Sequence, residues 1–79
     1  MKTLKIEYFA ILREQAGIRQ ESLQTLADTP ADLFSELQQR HGFAASNNFK
    51  VAINDEFSDW SASLNDGDTV VFIPPVAGG

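Results

Sequence analysis

The sequence predicts an α+β fold in which one main helix packs across one face of a mixed sheet. Three observations carry that prediction. The 79 residues are 43% hydrophobic and 22% charged, a globular rather than a disordered balance. The apolar residues change period along the chain, from alternation to helical spacing and back again. The order of the resulting elements is strand, strand, helix, then further strands, which sets one principal helix against several strands instead of alternating the two types.

Each element has its own local reason. Lys2 to Phe9 alternates, with Leu4, Ile6 and Tyr8 on one side and Thr3, Lys5, Glu7 and Phe9 on the other, the period of a half-buried strand. Ala10 to Ala16 consists of helix formers and stops at Gly17, a residue suited to a left-handed cap, so a short helix is expected. Ile18 to Leu26 alternates weakly and is mostly polar, as an edge strand antiparallel to the first would be. Thr29-Pro30-Ala31-Asp32 is the clearest helix start: Thr29 can cap, Pro30 fits the first helical position and Asp32 favours the positive end of the dipole. Leu33, Phe34 and Leu37 then fall on one face, and the helix is expected to end at Arg40 or His41 before Gly42.

After a polar loop around Ser46-Asn47-Asn48, Phe49 to Ile53 reads as a strand. Asn54-Asp55 tolerates positive φ and turns the chain, with Glu56-Phe57 beginning the return. Asn65-Asp66-Gly67-Asp68 is a turn, and Thr69 to Ile73 is a β-branched and aromatic strand ended by Pro74-Pro75, since proline cannot donate to a ladder. One helix across such a sheet is the β-grasp arrangement. No repeat or linker divides the chain, so residues 1–79 are expected to form one domain, with 74–79 an extended, flexible tail.

Composition excludes several classes of chemistry. The chain has no Cys and one His, which removes disulfides, Cys-based zinc sites, a Cys nucleophile and the usual multi-His metal sites. Eleven Asp and Glu stand against six Lys and Arg, a net charge of −5, the wrong sign for a general binder of phosphate backbones, so nucleic acid is not an expected partner. Nothing at the N-terminus resembles a signal peptide and no apolar stretch could span a bilayer. A cytoplasmic protein without membrane contact is the expectation.

The charged side chains offer weak sites at best. Asn65-Asp66-Gly67-Asp68 has the beginning of a calcium loop, but the position where a bidentate Glu should close it is Val76. Asp55, Glu56 and Asp59 could pair as acid and base, yet a solvated acidic surface is the simpler expectation. His41 closes a helix, where an imidazolium meets the negative dipole end. Trp60 takes no assignment from its neighbours.

The C-terminus is different. A free Gly78-Gly79 follows Pro74-Pro75, which hold an extended course and remove two backbone donors, and an apolar strand anchors the whole segment. Six residues from Pro74 onward span at most ~20 Å, enough to carry the terminal carboxylate into another protein's pocket. No side chain blocks entry at Gly78 or Gly79. A frayed end is the bland alternative, and these residues alone leave both open. A functional tail also needs a docking surface. Val71 and Ile73 alternate with Val70 and Phe72, so both faces of the last strand are apolar while one helix covers one face. The apolar residues on the other face are expected to form a partner patch unless a loop or the short helix covers them.

Along nearly its whole length the chain resembles the small, sulfur-carrying subunit of molybdopterin synthase, a ubiquitin-like β-grasp protein. The residues that carry the resemblance are Phe9-Ala10-Ile11-Leu12-Arg13-Glu14 with Gly17, Thr29, Leu33 and Leu37, Ala52-Ile53-Asn54, Leu64 with Asp66-Gly67-Asp68, and Phe72-Ile73-Pro74-Pro75-Val76-Ala77-Gly78-Gly79. A terminal diglycine alone also fits ubiquitin relatives and thiamine-pathway carriers. The first segment together with the Pro-Pro tail favours the molybdopterin type.

The resemblance implies a chemistry and a set of partners. Gly79 would be adenylated by a ubiquitin-activating-type enzyme using ATP, then converted by a sulfur donor to a thiocarboxylate, with Gly78 giving steric access. The large catalytic subunit would use that sulfur to build a dithiolene on a cyclic pyranopterin precursor. The chain itself would be a non-catalytic subunit with no tightly bound cofactor and no metal. Phe72, Pro74, Pro75, Val76, Ala77, Phe9 and Arg13 are the residues it would offer to partners. The position before the diglycine is often Ser or Thr in this family and is Ala77 here, as in some carriers serving other sulfur pathways. Cysteine, thiamine or tRNA thiolation, or a ubiquitin-like modifier, are therefore alternatives within the same chemistry. A β-grasp adaptor without terminal chemistry is the alternative from another class.

Overall fold

In chain order the elements are β1 (Lys2–Tyr8), α1 (Ala10–Ala16), β2 (Gln20–Thr25), α2 (Pro30–His41), β3 (Lys50–Ile53), β4 (Glu56–Ser58) and β5 (Thr69–Ile73). They come from a computed structural model that describes residues 1–43 and 49–73. The expected loop at Ser46-Asn47-Asn48 lies outside those residues. The strands form one sheet in the order β2-β1-β5-β3-β4. β1 and β5 run parallel, and every other neighbouring pair is antiparallel. With α2 on one face this is the expected β-grasp fold, and α1 is the second, shorter helix.

Most boundaries follow from the signals in the sequence. β1 stops at Tyr8 because Phe9 becomes the extended N-cap residue of α1, and Gly17 closes α1 at φ 75° with its amide on the Arg13 carbonyl. β2 is shorter than the Ile18 to Leu26 alternation, starting at Gln20. At the start of α2, Thr29 Oγ1 accepts the Asp32 amide at 3.2 Å. At its end Gly42 sits at φ 72° and returns its amide to the Gln38 carbonyl. Asn54 and Asp55 have φ of 52° and 72°, the left-handed pair that a two-residue hairpin needs to match the twist of its strands.

The core lies between α2 and one sheet face. Leu4, Ile6 and Tyr8 of β1, Val51 of β3, and Val70 and Phe72 of β5 meet Leu33, Phe34 and Leu37 of α2, all buried. Phe34 is at the centre of an aromatic cluster, with ring centroids 5.0 Å from Phe72, 5.5 Å from Phe49, 5.7 Å from Trp60 and 6.0 Å from Phe43. Trp60 is thereby placed: its ring stacks on Phe72 and its indole N–H donates to the Phe49 carbonyl at 3.2 Å, which answers the one polar atom of that side chain.

The acidic turn at residues 65–68 organises backbone. Asp66 Oδ1 accepts the Thr3 amide, Asp68 Oδ2 accepts the Asn65 amide, and Asp68 Oδ1 accepts from the Asn54 side chain. Asn54 Oδ1 in turn accepts the Thr69 amide. The β3–β4 hairpin and the start of β5 are tied together at the end of the sheet where β5 begins.

Candidate functional site at the root of the tail

The expected chemical residues, Gly79 and Gly78, and the expected partner contacts Pro74, Pro75, Val76 and Ala77 lie outside the described residues. What is described is the root from which that segment continues. β5 ends at Ile73 and occupies the middle of the sheet, bonded on one side to β1 and on the other to β3. Tyr8 and Val51 both pair with Phe72, and Lys50 pairs with Ile73. Phe72 is thus held between two strands, and the last residue, Ile73, by β3.

Alternation separates the two residues at the root. Phe72 is fully buried, 0% exposed, among the side chains beneath α2. A ring without accessible surface anchors the strand beneath α2. Ile73, on the opposite parity and partly exposed, is the outward residue. Phe9 is 42% exposed and Arg13 is exposed, both at the β1–α1 junction beside the end of β1. Since β1 is parallel to β5, that junction and the root lie at one end of the sheet.

The face away from α2 differs from expectation at its centre. Val71 and Ala52, paired across β5 and β3, are only 8% and 7% exposed. The exposed large apolar side chains lie elsewhere, among them Phe57 of β4, Phe9 and Ile11 around the start of α1, and Ile18 and Leu26 on either side of β2. Lys5 and Lys50 are exposed on the same parity as this stripe. Among the described residues neither has an ion-pair partner.

On the α2 side, the same end of the sheet holds a polar cluster. Glu21 of β2 accepts a hydrogen bond from the Tyr8 hydroxyl, and His41 Nε2 lies 2.7 Å from the same carboxylate oxygen. Arg40 Nε is 4.0 Å from the other oxygen. Burial opposes the charge on Glu21, but the bonds from Tyr8 and His41, with the positive charge of His41 and Arg40, outweigh it and hold the carboxyl below its ordinary value. Burial, and then Glu21, push the Tyr8 phenol well above its ordinary value, so it remains a donor. The His41 ring meets Tyr8 edge-on at 5.7 Å. Helix capping alone therefore understates His41, which joins α2 to β1 and β2. One signal could have found this cluster: Glu21 shares the inward parity of Leu23 and Thr25, and an inward carboxylate requires a partner.

Among the described residues no group of three His, Asp or Glu is placed to hold a metal ion, and no helix is long and apolar enough to cross a membrane. Asp55, Glu56 and Asp59 are exposed at the β4 edge.

A five-stranded mixed sheet of this order around one main helix defines a β-grasp protein of the ubiquitin-like class. The chain belongs to the ThiS family, which it matches over residues 6–79. ThiS-family proteins are small non-catalytic carriers of sulfur and bind no tight cofactor. Among solved structures the chain is similar to the putative molybdopterin converting factor, subunit 1, of Pyrococcus furiosus, at 28% identity over 96% of this chain and 100% of that one, with a TM-score of 0.80. It is similar to SAMP1 of Haloferax volcanii at 25% identity over 98% and 99% of the two chains, with a TM-score of 0.79. A chain of the BexX/CysO complex of Amycolatopsis orientalis matches at 25% identity over 96% and 99%, with a TM-score of 0.72.

Proposed function

We propose that this chain is the sulfur-carrier subunit of a molybdopterin synthase. Its Gly79 carboxylate attacks the α-phosphorus of ATP on an adenylating partner, releasing pyrophosphate and giving an acyl-adenylate. A donor of sulfur at the sulfide oxidation level then adds to the acyl carbon, AMP leaves, and a terminal thiocarboxylate results. The large subunit passes that sulfur to a cyclic pyranopterin precursor. Acid-base groups and pterin contacts come from the partner, and this chain supplies the sulfur and its delivery.

The observation that carries this reading is the rooting of β5. A chain end that must enter a partner's pocket needs a fixed origin, and β5 is paired on both sides up to Phe72 and with β3 at Ile73, at the end of the sheet where β1 leads into Phe9 and α1. The exposed apolar residues Phe9 and Ile11 at the β1–α1 end of the sheet and Ile73 at the root, with Lys50 paired to Ile73, fit a docking surface for the adenylating enzyme and the large subunit in turn. The resemblance to subunit 1 of a molybdopterin converting factor supports the pathway.

A second reading is a ubiquitin-like modifier, favoured by an almost equal likeness to SAMP1. Incubation with the cognate adenylating enzyme, ATP and a sulfur donor should replace one oxygen by sulfur in the intact mass, and no change would sink the carrier reading. Adding the large subunit and precursor then separates them. A carrier yields molybdopterin, whereas a modifier yields none and is found joined to lysines of other proteins.

A further inference from the structure

The outer edge of β4 lies two strands from the tail root, roughly 10 Å away across the sheet. Its backbone geometry follows from the hairpin. The loop Asn54-Asp55 has two residues, so Ile53 and Glu56 close it as a hydrogen-bonded pair, and alternation makes Ala52 and Phe57 the non-hydrogen-bonded pair. The Asn54 amide reports the same parity, since it bonds the Thr69 carbonyl across β5. Even-numbered residues of β3 turn toward β5 and odd-numbered ones toward β4. Phe57 therefore directs its own N–H and C=O away from the sheet, of which β4 is the last strand.

Two open surface clefts flank that edge. One of about 430 Å³ is lined by Phe49, Val51 and Trp60 on the α2 side together with Lys50, Phe57, Ser58 and Asp59. The other, of about 470 Å³, shares Phe57, Ser58 and Asp59 and adds Ala62. The Phe57 ring between them is 73% exposed. The charge on the edge is one-sided: Asp55, Glu56 and Asp59 are exposed and have no ion pair among the described residues, against the single cation Lys50.

We infer that the β4 edge is a docking site for an extended segment of a partner protein that alternates basic and apolar residues and adds as a sixth strand. The partner residue opposite Phe57 exchanges backbone hydrogen bonds with it and lies beside its ring. The neighbouring partner residues point to the other face, toward Phe49, Val51 and Trp60. Basic side chains complement Asp55, Glu56 and Asp59. The same three carboxylates argue against a second copy of this chain as occupant, because pairing two β4 edges would bring them against their like. This site is separate from the terminal chemistry and stands or falls without it.

The test uses the full chain and blocked synthetic hexapeptides. A lysine–valine alternating peptide should bind saturably, quench Trp60 fluorescence and move the amide resonances of Phe57 and Ser58. Glutamate–valine and lysine–glycine peptides should bind at least about tenfold more weakly. Phe57→Pro removes the outward amide and the ring while leaving the Ile53–Glu56 and Val51–Ser58 pairs, and should weaken binding by about tenfold or more. If that variant does not fold, a lysine–valine peptide N-methylated at alternate amides reads the same bond from the ligand side and should lose binding similarly. The proposal is overturned if the lysine–valine peptide fails to saturate, if the glutamate–valine or N-methylated peptide binds equally, or if the moved resonances lie on β2.

Discussion

Phe72 and Ile73 are consecutive residues with opposite fates: Phe72 is sealed beneath α2 opposite Tyr8 and Val51, while Ile73 faces the other side of the sheet opposite Lys50. The strand thus puts its anchor and its outward contact in adjacent positions. Phe72→Ala should cost about 3 to 5 kcal/mol, since it empties a buried site shared with Phe34 and Trp60. Ile73→Asp should cost under about 1 kcal/mol. If Ile73 belongs to the docking surface, the second variant should keep its thermal transition and bind the adenylating enzyme at least about tenfold more weakly. Calorimetry and titration of the two variants separate the roles, and equal loss of stability would contradict the assignment.

The contrast between these neighbours also marks what the sequence could and could not convey. Every element was legible because its signal is local: Thr29 and Pro30 start α2, Gly17 and Gly42 stop helices, and Asn54-Asp55 permits positive φ. That Phe72 and not Ile73 is the buried residue was not legible, because both faces of β5 are apolar, so hydropathy alone does not say which face α2 covers. Parity relative to Tyr8 and Val51 decides it, and that requires the register. The Tyr8–Glu21–His41 cluster joins residues 13 and 20 positions apart, a separation no periodicity reports. The closure of Val71 and Ala52 was hidden for the same reason, since the pairing of β5 with β3 sets them opposite each other.

Glu21 gives the fold a dependence on acid. Its folded carboxyl titrates below the ordinary value of 4.5, so the unfolded chain takes up the proton first as pH falls. The stabilisation is complete above that ordinary value and is lost as pH drops through the lower, folded value. At pH 7 Glu21→Gln should be less stable by about 1 to 2 kcal/mol, because an amide keeps an acceptor for Tyr8 but loses the charge that faces His41 and Arg40. The gap between variant and parent should narrow on acidification toward the folded value. Denaturant midpoints measured across that range check the sign, and a gap that widens in acid would refute it.

The hairpin residues Asn54 and Asp55 share positive φ but not partners. Asn54 bonds Asp68 and the Thr69 amide through its side chain, whereas the described residues give the Asp55 side chain no such bond. Glycine relieves backbone strain at either position. Asp55→Gly should therefore be neutral or stabilising by up to about 1 kcal/mol. Asn54→Gly should destabilise by about 1 kcal/mol, because two hydrogen bonds that hold β5 to the hairpin are lost with the side chain. Opposite shifts in the thermal transition are the expected result.

Gly78 separates the carrier chemistry from the fold. It lies five residues beyond the end of β5, and the core residues among the described part of the chain come from other positions. Under the proposed function the partner's pocket must admit the segment next to the reacting carboxylate, and a β-branched residue at that point adds bulk on Cβ and restricts the backbone. Gly78→Val should leave the denaturation midpoint unchanged within error and reduce adenylation of Gly79, read as ATP-pyrophosphate exchange, by at least about a hundredfold, the equivalent of about 2.7 kcal/mol of transition-state stabilisation. Full exchange activity with a normal fold would remove steric access at Gly78 from the mechanism, and an adaptor without terminal chemistry would show no exchange with either chain.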